Sequence, residues 1–182
     1  MKAIRSLIVV LLGAAALGVM MNTVPNYNSS FQPRWVSVDR GEVGEAQFFQ
    51  AELLGLQTAD VISYTQFGQD VSRDTSATFL VAELSVTGRT ESRQLEAIWL
   101  GATGREYHLS GRLQDAPHSL TTARFEPDLT DRAFAIFELP PDEIVGGSLG
   151  LSPRRSRVGD TVVKFPGPEA MPEKQTVLRL AP

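Results

Sequence analysis

The chain has no cysteine and only two histidines among its 182 residues. Without cysteine there is no thiol nucleophile, no Cys-ligated zinc or iron–sulfur site, no disulfide and no lipidated cysteine behind a leader. Any attachment to a membrane must therefore come from the leader itself. Basic charge is also scarce. Seventeen Lys and Arg stand against 21 Asp and Glu; Lys2 and Arg5 lie in an acid-free leader, so the rest holds 15 bases and 21 acids, a net −6. That sign argues against a broad basic face for nucleic acid or anionic lipid, and no nucleic-acid partner is expected. Sustained helical periodicity is missing beyond the leader, which removes helical bundles and α/β folds from consideration.

What is present is globular composition, 42% hydrophobic and 21% charged, with 15 Gly and 11 Pro as turn formers. Beyond the leader and a polar stretch, roughly 145 residues remain, enough for one domain with one core and no metal or disulfide staple. The expected organisation is residues 1–22 as signal anchor or signal peptide, 23–34 as tether and 35–182 as a β-sandwich domain.

Residues 6–21 (SLIVVLLGAAALGVMM) are uncharged with only Ser6 polar, and Lys2 and Arg5 precede them. At ~1.5 Å per residue the run reaches roughly 24 Å, or nearer 30 Å if Arg5 snorkels and residues 3–21 count. A cleaved signal peptide and an uncleaved signal anchor both fit. Ala16-Leu17-Gly18 offers a small-x-small site, but cutting there leaves Val-Met-Met at the new terminus and no A-x-A follows, so the anchor is the leading reading. The positive-inside bias then puts the N-terminus in the cytoplasm and the domain outside the cell membrane, or in the medium if the leader is cut. Residues 22–33 (NTVPNYNSSFQP) are uncharged, polar and Pro-containing, as an extended tether would be.

From Trp35 onward, short β-branched, aromatic and apolar stretches alternate with Gly, Pro, Asp and Asn. Strands are expected at 35–38, 46–56, 61–65, 78–87, 95–100, 106–109, 131–139, 148–151, 161–165 and 176–180. In the clearest, Leu80, Ala82, Leu84 and Val86 alternate with Glu83, Ser85 and Thr87, one face toward a core and the other toward water. Gly101 and Gly104 suit a hairpin turn after Leu100. Residues 118–130 fit a strand and a long loop equally well. The fold expected is an all-β antiparallel sandwich behind one N-terminal helix.

The order of Trp35-Val-Ser-Val with Gly41 and Gly44, the strand from Ala77 to Val86, the turn Leu100-Gly-Ala-Thr-Gly-Arg-Glu-Tyr, and Phe137-Glu-Leu-Pro followed by Gly147-Ser-Leu-Gly-Leu resembles a known group. It looks like the exported bacterial immunoglobulin-like domains of unknown function related to the secreted immunoprotective antigen of mycobacteria, over residues 47–152. The resemblance implies an immunoglobulin-like sandwich outside the bacterial cytoplasm and carries no catalytic residue. Unlike the lipoprotein members, this chain has no cysteine after its leader.

Each polar constellation has an ordinary reading beside its functional one. His108 or His118 would be a general base for Ser110 or Ser119 in a hydrolase, yet there is no G-x-S-x-G elbow, and edge or surface histidines account for both. Glu126, Asp128 and Asp131 offer oxygens to Ca²⁺ but lack the D-x-D-x-D-G order, and Asp70 and Asp74 are weaker still. No metal, cofactor or catalytic residue is therefore expected. Arg154, Arg155 and Arg157 (PRRSR) are the most local polar signal: a contact for an acidic partner, or a solvated loop that protects an edge. Trp99 lies on the apolar phase of its strand and is expected in the core; Trp35 is open to core or sugar-stacking use. These observations lead to a non-catalytic, membrane-anchored interaction or accessory module whose partner is another membrane or envelope protein. The alternative is a cleaved, secreted binding protein for a small molecule or envelope glycan.

Overall fold

The computed structural model describes residues 2–23, 33–155 and 159–181, and the chain divides into two compact units, Met1–Gln32 and Pro33–Pro182. The expected tether falls mostly outside the described residues. In the first unit α1 (Lys2–Thr23) is one helix of 22 residues, built from the apolar run 6–21 and its flanks. Side chains of α1 are described at residue 6 and residues 11–22 and all are exposed, Leu11, Leu12 and Leu17 by 61–66%. Among the described residues no helix is long and apolar enough to cross a membrane.

The described residues of the second unit form a β-sandwich of ten strands: β1 (Arg34–Ser37), β2 (Val43–Glu45), β3 (Phe49–Gln66), β4 (Gln69–Gly88), β5 (Leu95–Leu100), β6 (Glu106–His108), β7 (Thr130–Leu139), β8 (Ser148–Pro153), β9 (Thr161–Pro166) and β10 (Lys174–Arg179). One sheet runs β1-β9-β8-β5-β6; the other runs β10-β3-β4-β7, with β2 also on β3. The expectation of purely antiparallel pairing needs correction, because β1 pairs with β9, and β10 with β3, in parallel. Both parallel partners are far apart in sequence, so no crossover rule constrained them.

Two expected strands, 46–56 and 61–65, are one. In β3 the alternation breaks at Leu53/Gly55 and Ala59/Val61, and both breaks are register shifts within a continuous strand paired to β4. A bulge absorbs an extra residue without ending the ladder. The turn that closes this long hairpin is Phe67-Gly68, with φ of 50° and 77°, the left-handed pair that a two-residue hairpin loop requires. Of residues 118–130, left open by the sequence, 118–129 form a loop with isolated bridges at Ser119, Phe125 and Pro127, and Thr130 opens β7.

Between the sheets Phe49, Leu80, Trp99, Phe137, Leu149 and Phe165 are fully or nearly fully buried. A second apolar cluster lies on the other face of β4 and β7. Phe79, Val81, Phe134 and Ile136 pack there with Leu113 and Ala116 from the loop after β6, and with Leu178 and Leu180 at the C-terminal end. The expectation that one face of 78–87 meets water holds for Ser85 and Thr87, which are only half-buried, and fails at Phe79 and Val81. A strand covered on both faces loses its period of two and reads as a run of apolar residues, as Phe79–Ala82 and Ala133–Phe137 do.

Candidate functional site

Among the described residues no hydrogen bond joins the histidines to the serines considered for catalysis. His108 pairs with Ile98 across β5 and β6 and is exposed. His118 is exposed at a positive φ of 52°, its ring edge-on to Phe134 with centroids 6.4 Å apart. The Ser110 hydroxyl donates to the Glu138 carboxylate, which also accepts from Arg112 at 3.1 Å and from the Thr75 hydroxyl at 3.2 Å. Ser119 donates its backbone N–H to the Ala116 carbonyl at 3.1 Å. The Ser110 hydroxyl is thus bonded to the Glu138 carboxylate and to neither histidine.

The acidic loop is also occupied by ordinary contacts. Glu126 accepts a hydrogen bond from the Ser92 hydroxyl at 2.6 Å, Asp128 is a left-handed turn residue whose N–H donates to the Gly88 carbonyl at 2.9 Å, and Asp131 lies in the β7 ladder opposite Val86. Asp70 accepts from the Thr65 hydroxyl at 2.9 Å beside the Phe67-Gly68 turn, and Asp74 pairs opposite Val61. Among the described residues no three acidic or histidine side chains gather as a metal site would require.

Trp99 is buried, as its strand phase predicts, and its indole N–H donates to the Glu143 carbonyl at 2.9 Å. Glu143 is itself buried at the turn that precedes β8. Its carboxylate accepts the Thr103 hydroxyl at 2.5 Å and the Thr103 N–H at 3.1 Å. Those two bonds, then the charge of Arg105 and the Tyr107 hydroxyl, hold the carboxyl below its ordinary value, outweighing burial. Trp35 is 42% exposed on the outer face of its sheet, its ring against Gly150, where an added Cβ would lie 3.1 Å from the six-membered ring. It is therefore neither core nor freely projecting.

A concavity of about 480 Å³ lies at one edge of the second sheet. Along this edge β2 pairs with β3 only as far as Glu52, opposite Val43, and β10 begins at Thr58, opposite Lys174. Residues 53–57 of β3 lie between them with no strand neighbour on that side among the described residues. Leu54 is the extra residue of the first bulge and is 45% exposed. Leu53, Leu54 and Leu56 line one wall, and Phe165, Pro168 and Pro172 line the opposite one. Arg40 braces the far wall: its guanidinium donates to the Gly167 carbonyl at 2.7 Å and lies 3.8 Å from Glu169. Gly167 is held from behind as well, since a Cβ there would meet the Gly147 carbonyl at 2.4 Å and the Trp99 ring at 3.1 Å. The result is an open trough with an exposed strand edge along one wall.

Arg154 and Arg155 lie in the turn after β8, whereas Arg157 is outside the described residues. The fold sets Arg93 and Arg124 beside them around a second, smaller concavity. Neither of these two arginines nor the trough was anticipated from the sequence. Arg93 and Arg124 stand alone in the sequence and carry no signal. The trough had one: Leu53-Leu54-Gly55-Leu56 breaks alternation around a glycine, which marks a bulge.

No family model matches the chain, and no curated protein matches it. Among solved structures it is similar to an uncharacterized β-sandwich protein from Clostridium difficile 630, at 10% identity over 73% of this chain and 95% of that one, TM-score 0.45. It is also similar to the yjhA protein from Bacillus subtilis, at 14% identity over 70% and 98% of the two chains, TM-score 0.48. A conserved hypothetical protein from Bacillus anthracis matches at 10% identity over 66% and 92%, TM-score 0.46.

Proposed function

We propose that this chain is a non-catalytic, membrane-anchored interaction module of the immunoglobulin-like kind, carried outside the cytoplasm, that receives an extended segment of another membrane or envelope protein. The observation that carries this reading is the interrupted edge of β3. An open strand edge offers unpaired backbone N–H and C=O groups, and an added strand satisfies them while apolar side chains seat in flanking pockets. Five residues at ~3.3 Å each leave roughly 17 Å between β2 and β10, so the added segment is short, and the two flanking strands keep longer edges from pairing. An open trough of this kind suits an extended peptide better than a small ligand, which is usually enclosed. The polar groups that do converge, around Glu138 and Glu143, are consumed in hydrogen bonds that hold turns and strands together.

The anchor rests on the apolar run 6–21 behind Lys2 and Arg5, and on the exposure of Leu11, Leu12 and Leu17 along α1. Kinship with the exported immunoglobulin-like group rests on the strand order and turns quoted above.

The test uses the full chain, tagged at its C-terminus and purified from detergent-solubilised host membranes, with a photo-crosslinking residue at position 54. A single stoichiometric membrane partner crosslinked at 54, and lost in Leu54→Glu with unchanged thermal unfolding, is the expected result. Capture that survives Leu54→Glu overturns the trough as the contact. Tagged protein found in the medium with no partner overturns the anchor and supports a secreted binding protein.

A further inference from the structure

The second concavity, about 290 Å³, is lined by Ser92, Arg93, Gln94, Arg124, Arg154 and Arg155. Three separate stretches of chain supply these side chains, and backbone bonds lock them together. Arg93 and Phe125 exchange two bonds, at 3.1 and 2.8 Å, which sets Arg124 beside Ser92; the Arg154 N–H donates to the Gln94 carbonyl at 2.8 Å. The arginines are therefore placed by the fold rather than by mobile loops.

Their charges are unequally balanced. Arg93 bonds Glu91 through Nε at 3.0 Å and Nη2 at 2.5 Å, and its Cζ lies 4.6 Å from the centroid of the Phe48 ring. Arg124 donates only to the Ser92 hydroxyl at 3.3 Å, and that hydroxyl donates in turn to Glu126. Arg154 donates to the neutral Gln94 side chain at 3.4 Å. Among the described residues Arg124, Arg154 and Arg155 form no ion pair. On a domain whose overall charge is negative, three guanidinium groups with no direct ion pair around one hollow repel one another, and a bound anion offsets that repulsion.

We propose that this arginine hollow is a binding site for a phosphate group carried on a small ester, distinct from the trough. Planar guanidinium forks match phosphate oxygens in paired hydrogen bonds. Cations arriving from three segments suit a tetrahedral anion with several oxygens better than a flat carboxylate with two. The volume exceeds what a bare phosphate fills, which leaves room for its substituent beside Ser92 and Gln94.

Calorimetric titration of the full chain in nonionic detergent tests the site with glycerol 3-phosphate, inorganic phosphate and acetate. Glycerol 3-phosphate is expected to bind saturably and to weaken at least tenfold in Arg124→Ala and in Arg154→Ala. Arg154→Lys should retain part of the affinity, and Arg132→Ala, which breaks only an exposed pair with Glu83 at 3.0 Å, should leave it unchanged. Tighter binding of the ester than of inorganic phosphate identifies an esterified ligand, and equal binding identifies free phosphate, which overturns the ester but not the anion site. Absence of saturable phosphate binding, acetate binding as well as phosphate, or affinity indifferent to Arg124→Ala and Arg154→Ala overturns the site altogether. Leu54→Glu should not affect phosphate binding, so the trough and the hollow fail independently.

Discussion

The indole of Trp99 and the backbone of Glu143 are joined by a buried hydrogen bond of 2.9 Å. Around it the glycines at 147 and 167 bring their backbones against the ring: a Cβ on Gly147 would lie 2.6 Å from Nε1. Strand β5, the turn before β8 and the wall of the trough therefore meet at one side chain. Trp99→Phe leaves the Glu143 carbonyl buried without its donor and opens a void. A loss of about 2–3 kcal/mol is expected, read from the urea midpoint at unchanged slope.

Glu143 makes stability depend on acid. Its folded carboxyl titrates below the ordinary 4.5, so its contribution is present above the unfolded value and disappears as pH falls through the folded one. The unfolding free energy should decline from about pH 5 downward, and Glu143→Gln should flatten that decline while lowering stability at neutral pH. An identical acid limb in wild type and Glu143→Gln would assign the decline to other carboxylates.

At the tip of the β3–β4 hairpin, Phe67 holds φ of 50° and is 98% exposed. A large L-residue in the left-handed region is strained, and exposure returns nothing in packing. Phe67→Asn creates the Asn-Gly pair favoured in such turns and should stabilise the domain by about 1 kcal/mol, visible as a higher Tm. A lower Tm would mean that Phe67 contributes to stability in a way its exposed position does not suggest.

Ile136 tests the second apolar cluster. It lies on the face of β7 away from the other sheet, yet is 3% exposed. Ile136→Ala should cost about 2–5 kcal/mol, as a core site does, whereas a solvated face would give less than about 0.5 kcal/mol.

Most strands could be located from local chemistry. Leu95–Leu100 was placed to the residue because Leu95, Ala97 and Trp99 face one core while Glu96 stays exposed. Gly101 was legible as a turn residue for an incomplete reason. Gly104 carries the positive φ of 84°, whereas Gly101 is small because the Glu143 carboxylate presses on it, 2.1 Å from where a Cβ would stand. A contact across 42 residues leaves no local mark. The same holds for the arginine hollow, of which the sequence offered only the PRRSR end.

By itself, then, the sequence determined the apolar N-terminal helix, the all-β class of the domain that follows and the burial of Trp99, since each follows from periodicity or composition within a few residues. Only the tertiary structure decided which strands became partners, that β1 and β10 pair in parallel, and that β4 and β7 are covered on both faces. It also decided that β2 and β10 stop short of each other along β3 and that four arginines share one hollow. Strand pairing and charge proximity depend on which distant segments fold onto one another, and the energy that selects those neighbours comes from a core assembled by the whole chain.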